Sequence, residues 1–288
     1  MMHSVEFGSG TPILMIHGFC VDHHLLLGLD SVFALQGRWR RVYVDLPGMG
    51  QSPAGPEVDS ADAVAEAVVS FARTTFGDEK FAVLGNSFGG MIARQVVAEF
   101  GDQVLGLALL CPVAVAEHGA RTVPAQTVLQ KDQVLVASLD PRDAADYEEM
   151  AVVQSMENWL RFRESVLPGL RAFDQAAVQR ISSSYALGRE PEHRSPKFQR
   201  PTVIITGRQD HVVGFQDQIA LSGHYVQSTF AVLDRAGHNA HLDQPALTGA
   251  LLGEWLVRME DGMRDDPSGA MASLPSTRLS PGINGGPS

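Results

Sequence analysis

The residues most able to do chemistry lie in the run Gly85-Asn86-Ser87-Phe88-Gly89-Gly90. Apolar residues 81–84 precede this run and apolar residues at helical spacing follow it, which predicts a strand, a sharp turn and a helix. A serine on such a corner has a strained backbone and an exposed hydroxyl, and the residues two before and two after it have no room for side chains. Because Gly85 and Gly89 occupy those two positions, Ser87 is predicted to be a nucleophile.

The amide of Phe88 adds a second chemical feature to this turn. It begins the predicted helix, so its N–H points toward negative charge forming beside Ser87, and the helix dipole strengthens the effect. The Gly-x-Ser-x-Gly pattern with strand and helix flanks resembles the nucleophile elbow of the α/β-hydrolase fold superfamily. The alternative is a glycine-rich turn whose serine caps a helix. The resemblance implies an α/β fold, with a mostly parallel central sheet flanked by helices and an inserted helical cap.

The resemblance also supplies partners for the serine. In the superfamily a His-Gly-x loop after an early strand lends a second amide to the oxyanion hole, and the matching residue here is Phe19. The Gly-Arg-x-Asp-x-x-Val match places the acid at Asp210, and the Gly-His pair after the last predicted strand places the histidine at His238. The chain order of serine, acid and histidine is the one expected for this fold. By this resemblance His238 takes the proton of Ser87, Asp210 orients the imidazole, and the Phe19 and Phe88 amides form the oxyanion hole.

Other residues compete for some of these roles. Asp234 is close to His238 in sequence, but Asp210 is favoured because it follows a strand end. His238 and His241 could be imagined as metal ligands, yet the sequence has no His-Glu-x-x-His motif and no cysteine pair beside them, so neither a metal nor a cofactor is expected. His17 is interpreted as a residue that braces its loop by hydrogen bonding.

The remaining pattern predicts alternating strands and helices, and hence a mostly parallel sheet. Apolar runs predict strands at 12–16, 41–45, 104–111, 201–207 and 229–233, and helical patterns cover 25–35, 60–76 and 245–259. The short N-terminus leaves little room for the antiparallel hairpin with which many superfamily members begin. Asp45 begins a glycine-containing turn, Asp-Leu-Pro-Gly-Met-Gly-Gln-Ser, and is interpreted as a carboxylate that braces this turn.

The predicted domain organisation is a core interrupted by one insertion. Residues 1–112 and 201–261 form the α/β-hydrolase core, and residues 113–200, which contain helical segments at 143–163 and 174–187, form the cap. Residues 262–288 lack periodicity and are predicted to be a disordered tail.

One helical stripe in the predicted cap has two interpretations. Met156, Trp159, Leu160 and Arg163 fall at helical spacing, which favours simple packing. The alternative is that Trp159 lines the substrate pocket and that Arg163 or Arg161 binds a substrate carboxylate, because a guanidinium matches that group bidentately.

Composition limits the partners and the compartment. The 288 residues carry a formal net charge of -11 with a pI near 5.3, which argues against nucleic acid or an anionic membrane surface as a partner. The two cysteines, Cys20 and Cys111, are expected to be reduced. The N-terminal sequence has no secretory pattern and no stretch reaches membrane-spanning length, so a cytoplasmic protein with a small-molecule substrate is expected. The oligomeric state is left open.

These features favour a serine hydrolase that cleaves an ester or lactone, or less favourably a thioester, of a small and fairly apolar molecule through an acyl-Ser87 intermediate. A serine nucleophile argues against the haloalkane dehalogenase and epoxide hydrolase branches, which attack through a carboxylate. The Gly-Asn-Ser-Phe-Gly-Gly run also resembles the elbow of carbon-carbon bond hydrolases of ring-fission products, but those enzymes usually place tryptophan after the catalytic histidine, where this chain has Asn239. A non-catalytic binding protein of the same fold is the other alternative.

Overall fold

A computed structural model of the chain describes residues 2–264 and shows a seven-stranded sheet with helices on both faces. The strands follow the order β1-β3-β2-β4-β5-β6-β7, and only β1 is antiparallel to its neighbour, β3. Their bounds are β1 Ser4–Phe7, β2 Thr11–Ile16, β3 Trp39–Val44, β4 Phe81–Asn86, β5 Val104–Leu110, β6 Thr202–Gly207 and β7 Ser228–Leu233. The predicted fold class, a mostly parallel sheet flanked by helices, is confirmed.

The inner strands are apolar along their length because both faces of the sheet are covered. Every residue of β4, β5 and β6 is buried. The strand order reverses between β2 and β4, which pair in parallel, so the chain segments that follow these two strands leave the sheet side by side. In open α/β sheets this is the position where ligand sites form.

The helices of the core cover the two faces of this sheet. Ser60 caps α3 by accepting from the amide of Ala63, as expected for a helix that begins with a capping serine. The predicted helix at 25–35 is instead two short helices, α1 and α2, because the chain turns at Gly28 and Leu29. The core helices are α1 His24–Leu27, α2 Asp30–Ala34, α3 Ala61–Phe76 and α4 Phe88–Phe100.

Between β5 and β6 the chain leaves the sheet for residues 113–200, here called the inserted segment. Its helices are α5 Gln133–Ser138, α6 Pro141–Met150, α7 Met156–Ser165, α8 Leu167–Leu170 and α9 Gln175–Ser183. The helix predicted over 143–163 is broken at 151–155, because the backbone of Val152 hydrogen-bonds that of Leu129 and Ser155 caps α7. The predicted helix over 174–187 ends earlier, at Ser183.

The inserted segment has its own apolar cluster, which continues onto the core. Tyr147, Trp159 and Phe162 pack edge to face or stacked, with ring centroids 5.3 to 6.2 Å apart. Leu25 and Leu242 of the core belong to the same cluster. The segment is therefore held against the core by apolar packing.

The two ends of the described chain differ from the expected pattern in detail. A single strand, β1, occupies the place of the leading hairpin and pairs with β3. After β7 come α10, Ala240–Asp243, and α11, Pro245–Arg264. Helix α11 includes 262–264, which were predicted to belong to the disordered tail, while residues 265–288 of that tail lie outside the described residues. Within 2–264, no helix combines the length and apolarity required to span a bilayer.

Candidate active site

Ser87 lies on a strained turn between β4 and α4. Its backbone has φ 53° and ψ -118°, in a positive-φ region that residues other than glycine rarely adopt. A Cβ atom on Gly85 would lie 2.3 Å from the carbonyl oxygen of Gly89, and one on Gly89 would lie 2.2 Å from that of His17. The two glycines are therefore required by close backbone contacts, as the sequence pattern predicted.

The turn brings Ser87 to the two residues predicted as its partners. His238 follows β7, and its Nε2 is 2.9 Å from Oγ of Ser87. Asp210 follows β6, and its Oδ2 is 3.0 Å from Nδ1 of the same imidazole. All three side chains are buried, with Asp210 fully enclosed and Ser87 and His238 exposed by 7% and 9%. The arrangement is a continuous hydrogen-bonded chain from hydroxyl to imidazole to carboxylate.

The carboxylate of Asp210 is held in its ionised form. Burial opposes ionisation, but the attraction of His238 and hydrogen bonds from that imidazole and from the amides of Val212 and Val213 lower the pKa of Asp210 below its usual value. Asp234, the alternative acid, is instead a surface residue whose side chain is 67% exposed and accepts from Gln209. The structure therefore places Asp210, and not Asp234, beside His238.

The loop after β2 carries Phe19 next to the turn that carries Phe88. Their rings lie 5.2 Å apart, edge to face. The amide of Phe88 is in the first turn of α4, where backbone N–H groups have no partner within the helix. Gly18 sits against Ser87, since a Cβ atom there would be 3.3 Å from the serine Cβ. Both predicted amide donors thus belong to segments that adjoin the serine.

His17 braces this loop as a neutral imidazole. Its Nε2 accepts from the amide of Leu46 at 2.9 Å, which leaves the proton on Nδ1, and Nδ1 donates to the carbonyl of Gly18 at 2.7 Å. Burial lowers the pKa of His17. The ring joins the loops after β2 and β3.

Asp45 braces the neighbouring loop. Its oxygens accept from the amides of His23 and Gln51, each at 2.9 Å, and from the imidazoles of His23 and His3. Although burial favours the neutral acid, these hydrogen bonds hold the pKa of Asp45 well below its usual range. A Cβ atom on Gly50 would lie 2.5 Å from this carboxylate, which explains the glycine in the turn.

Three groups of side chains within 2–264 bring possible metal-ligating atoms within 4.8 Å of one another. Hydrogen bonds inside the chain already use most of these atoms. His3, His23 and Asp45 form the loop brace, and His24 binds Asp22 in the same region. The third group combines Cys111 with the Asp210–His238 pair. In this group Asp210 and His238 belong to the chain that leads to Ser87, and the thiol of Cys111 donates to the carbonyl of Gly237.

A cavity of about 280 Å³ opens onto the serine. Most of its wall is apolar, and the inserted segment contributes much of it through α6, α8 and the residue between α7 and α8. Two acids of α6, Asp146 and Glu149, also reach the cavity, and no lysine or arginine of the described chain lines it. Asp146 is paired with Arg171 at 2.9 Å. The apolar lining consists of Phe19, Val21, Leu25, Met150, Val166, Leu170 and Val212.

Residues 11–245 match the model of the alpha/beta hydrolase fold family. The chain belongs to this family. Among curated relatives, the monoacylglycerol lipase ABHD6 of Bos taurus is 25% identical over 264 residues, covering 87% of this chain and 76% of that protein. The 2-succinyl-6-hydroxy-2,4-cyclohexadiene-1-carboxylate synthase of Escherichia coli is 29% identical over 248 residues, covering 82% and 90%. Among solved structures, an alpha/beta superfamily hydrolase from Oenococcus oeni superposes with a TM-score of 0.81 at 28% identity, covering 90% of this chain and 96% of that one.

The two pocket residues proposed from the helical stripe are not at the cavity of this α/β-hydrolase. Trp159 is 6% exposed and packs on Tyr147 and Phe162 inside the inserted segment. The side chain of Arg163 is 50% exposed and lies near Glu164. Arg161 donates to the carbonyl of Leu242 at 2.8 Å. Within the stripe the packing interpretation therefore holds for Trp159 alone, because Met156 is 55% exposed and Leu160 is 36% exposed. The described lining of the cavity includes neither Trp159 nor Arg163, so the structure contradicts their placement in the substrate pocket.

Tyr185 is a site residue that the sequence did not indicate. Its ring lies 5.3 Å from that of Phe19 and 5.0 Å from that of Phe88, so one residue of the inserted segment covers both. The guanidinium of Arg121 lies 5.9 Å from the ring, and burial raises the pKa of the phenol to about 12. Tyr185 falls within the helix predicted over 174–187, but α9 ends at Ser183 and Tyr185 lies in the irregular segment that follows, so helical spacing did not indicate its contacts.

Proposed function

We propose that this α/β-hydrolase is a serine hydrolase that cleaves a carboxylic ester or lactone of a small, uncharged and mainly apolar molecule. The observation that carries the proposal is the 2.9 Å contact between Ser87 Oγ and His238 Nε2, continued to Asp210 and located at the base of an apolar cavity. A serine hydroxyl needs such a base to be nucleophilic at neutral pH.

In the first half of the reaction, Ser87 Oγ attacks the carbonyl carbon of the ester while His238 Nε2 accepts the hydroxyl proton. The tetrahedral intermediate carries its negative charge on the former carbonyl oxygen. When it collapses, the bond to the alcohol oxygen breaks, and the imidazolium returns its proton to that oxygen. The products of this half are the free alcohol and an ester of Ser87.

In the second half, water replaces the alcohol. His238 takes a proton from the water as its oxygen attacks the acyl carbon, and the second intermediate expels Ser87 Oγ, which regains a proton from the imidazolium. Asp210 stays ionised throughout and stabilises the imidazolium that forms in each half, because its pKa is held low.

The amides of Phe19 and Phe88 are the proposed oxyanion hole. They belong to two chain segments held together by the Gly89–His17 backbone contact. Donors fixed in this way need no rearrangement when charge develops, and one such donor contributes about 3 to 4 kcal/mol to transition-state stabilisation.

The inserted segment is the proposed cap. The residues it contributes to the cavity favour an uncharged, mainly apolar substrate. Met150, Val166 and Leu170 offer apolar surface to an acyl chain, and no cationic side chain of the described lining could bind a carboxylate. The cattle relative is named for monoacylglycerols, which are uncharged esters. An ester of this kind fits the cavity better than an anionic molecule does.

Carbon-carbon bond chemistry is the less favoured alternative. The E. coli relative is named for a product that carries a carboxylate, whereas the described lining of the cavity here has no lysine or arginine and includes the carboxylate of Glu149. Like charges at this site would oppose binding of such a substrate. The position after His238 is also Asn239 instead of tryptophan.

The test is turnover of a panel run with wild type, Ser87→Ala and a control, Ser70→Ala, which alters an exposed serine of α3. The panel contains short and medium acyl nitrophenyl esters, aliphatic lactones, an uncharged glycerol monoester, an acyl thioester and a ring-fission dienone. Ser87→Ala should lower kcat on the best ester by about a million-fold, while Ser70→Ala should match wild type.

Two results would overturn the proposal. One is equal inertness of wild type and Ser87→Ala toward every ester and lactone, which would favour a binding protein, particularly if a panel member raised the melting temperature without conversion. The other is Ser87-dependent cleavage of the dienone alone, which would establish the carbon-carbon alternative.

A further inference from the structure

The backbone of Gly237, the residue before His238, is held at both its N–H and its C=O group. The amide of Gly237 donates to Oδ2 of Asp243 at 2.8 Å. The carbonyl of Gly237 accepts from Sγ of Cys111 at 3.6 Å, and a Cβ atom on Gly207 would lie only 2.2 Å from that carbonyl oxygen. The backbone before the imidazole therefore has little freedom to shift while Asp243 is in place.

The other oxygen of Asp243 connects this loop to the inserted segment. Oδ1 accepts from Nδ2 of Asn158, a buried residue of α7, at 2.9 Å. One turn further along α7, Arg161 donates to the carbonyl of Leu242 at 2.8 Å. Two consecutive residues of α10 thus bind two successive turns of α7, and one carboxylate joins α7 to the backbone beside His238.

Burial of this carboxylate costs desolvation free energy, which its hydrogen bonds must offset. The pKa of Asp243 is raised to about 6, chiefly by desolvation and to a smaller extent by the charge of Asp210, while hydrogen bonds from Gly237 and Asn158 and the charge of Arg161 act in the opposite direction. An apolar residue would avoid that cost but would leave the Gly237 amide and the Asn158 amide without this acceptor.

We propose that Asp243 is a positioning residue, which fixes the loop of His238 against Ser87 and transmits the docking of α7 to the serine–histidine–aspartate chain. The proposal rests on the proposed function for its catalytic consequence, but its geometric part concerns only the His238–Asp210 contact. Asp243 touches neither Ser87 nor the reacting atoms, so its effect should be seen in the rate at saturation and not in substrate binding.

Three variants and one control separate the contributions of Asp243. Asp243→Ala removes both hydrogen bonds. Asp243→Asn keeps a carbonyl oxygen that accepts from the Gly237 amide, and its new NH2 group can donate to Oδ1 of Asn158 once the Asn158 amide rotates. Asn158→Ala removes only the contact to α7. Asp234→Asn is the matched control, since it neutralises an exposed acid near the same loop that does not contact His238.

With a short acetate ester, Asp243→Ala should lower kcat by about tenfold to a hundredfold, with KM changed by less than about threefold. Asp243→Asn should recover at least about a third of wild-type kcat, and Asn158→Ala should lose about threefold. Asp234→Asn should match wild type. The low-field proton resonance of the His238 Nδ1–H bonded to Asp210 should broaden or shift in Asp243→Ala and remain in the control.

Each outcome decides the proposal. Wild-type kcat and an unchanged resonance in folded Asp243→Ala, with only the melting temperature lowered, would show a structural role and overturn it. If Asp243→Ala does not fold, an unchanged resonance and kcat in Asn158→Ala would overturn the link to α7. If wild type itself shows no Ser87-dependent turnover, the proposed function fails, and the resonance alone then tests whether Asp243 positions His238.

Discussion

The carbonyl oxygen of His17 lies 2.2 Å from the position that a Cβ atom of Gly89 would occupy, so α4 begins in direct backbone contact with the loop after β2. The carbonyl of Ile16 is equally close, at 2.4 Å. No side chain fits between these segments. Because the loop carries Phe19 and the helix carries Phe88, this contact sets the spacing of the two amides proposed to receive the oxyanion.

Gly89→Ala is therefore predicted to push the two segments apart. We expect kcat/KM on the best ester to fall by about a hundredfold, since displacement of reacting groups by about an ångström costs that much, and we expect a lower melting temperature. Steady-state kinetics and thermal unfolding check both effects. The control is Gly253→Ala in α11, where the new Cβ has no atom of the described chain within 4 Å apart from its chain neighbours and the adjacent backbone of its own helix, and where helix propensity should add about 1 kcal/mol of stability. Full activity in Gly89→Ala would contradict the tight contact.

Tyr185 is predicted to hold Phe19 and Phe88 in place through its ring contacts with both. Each of its two aromatic contacts contributes about 0.5 to 1.5 kcal/mol beyond burial, so we expect Tyr185→Ala to lower kcat by about tenfold and to lower the melting temperature. Tyr185→Phe keeps both ring contacts and should retain wild-type kcat. Kinetics on a short ester tests the pair. If the alanine variant were less stable yet had normal kcat, Tyr185 would serve packing alone.

The positions of Ser87, Asp210 and His238 could be predicted because each follows an apolar run that indicates a strand and each matches a motif of the superfamily that the sequence resembles. A buried strand is a continuous apolar run, and a strained turn needs glycines at fixed spacing, so both can be recognised from a few consecutive residues. Parallel strands then place the three ends at one edge of the sheet. The bracing interpretation of His17 and Asp45 also depended on short loop motifs, and their hydrogen bonds are those of braces.

The cavity wall could not be predicted in the same way because it depends on contacts between distant segments. The predicted stripe on α7 is not its buried face, since Met156 and Leu160 are exposed and only Trp159 of the stripe is buried. Trp159 itself faces Tyr147 and Phe162 instead of the cavity. The break at 151–155 in the helix predicted over 143–163 arises because the carbonyl of Val152 accepts from the amide of Leu129, which is distant in sequence. Tyr185 falls within the helix predicted over 174–187, but it reaches the site from the irregular segment after α9.

Glu149 is predicted to disfavour anionic esters relative to uncharged esters at the cavity. Its carboxylate should repel an anionic ester, so Glu149→Gln should raise kcat/KM for a hemisuccinate ester by about threefold at low ionic strength and leave the uncharged ester of equal length unaffected. The gain should disappear at high salt, where the Debye length falls to about 3 Å. Glu148→Gln is the control, because Glu148 is exposed on α6 and is not part of the lining. An identical gain in both variants would show a general effect of net charge.

His241 is predicted to weaken the fold in acid. Its Nε2 donates to the carbonyl of Leu25 at 3.0 Å, while the buried Nδ1 has no hydrogen-bond partner among residues 2–264, and burial lowers the pKa of His241 from 6.5 to about 4. As pH falls below 6.5, His241 is protonated in the unfolded chain but stays neutral in the folded chain. The stability present above pH 6.5 is therefore progressively lost toward pH 4. For this one group the loss approaches about 3 kcal/mol.

The comparison of wild type with His241→Gln isolates this contribution. Glutamine can still donate to Leu25 but does not titrate, so the variant's free energy of unfolding, measured by urea titration, should rise relative to wild type as pH falls from neutrality to about 4. Asp243 acts in the opposite direction, since burial raises its pKa to about 6 and its protonation favours the folded state in acid, and it is present in both proteins. His193→Gln, at an exposed position, controls for the substitution itself. A difference between wild type and His241→Gln that did not change with pH would mean that the His241 imidazole accepts a proton as readily in the folded chain as in the unfolded one.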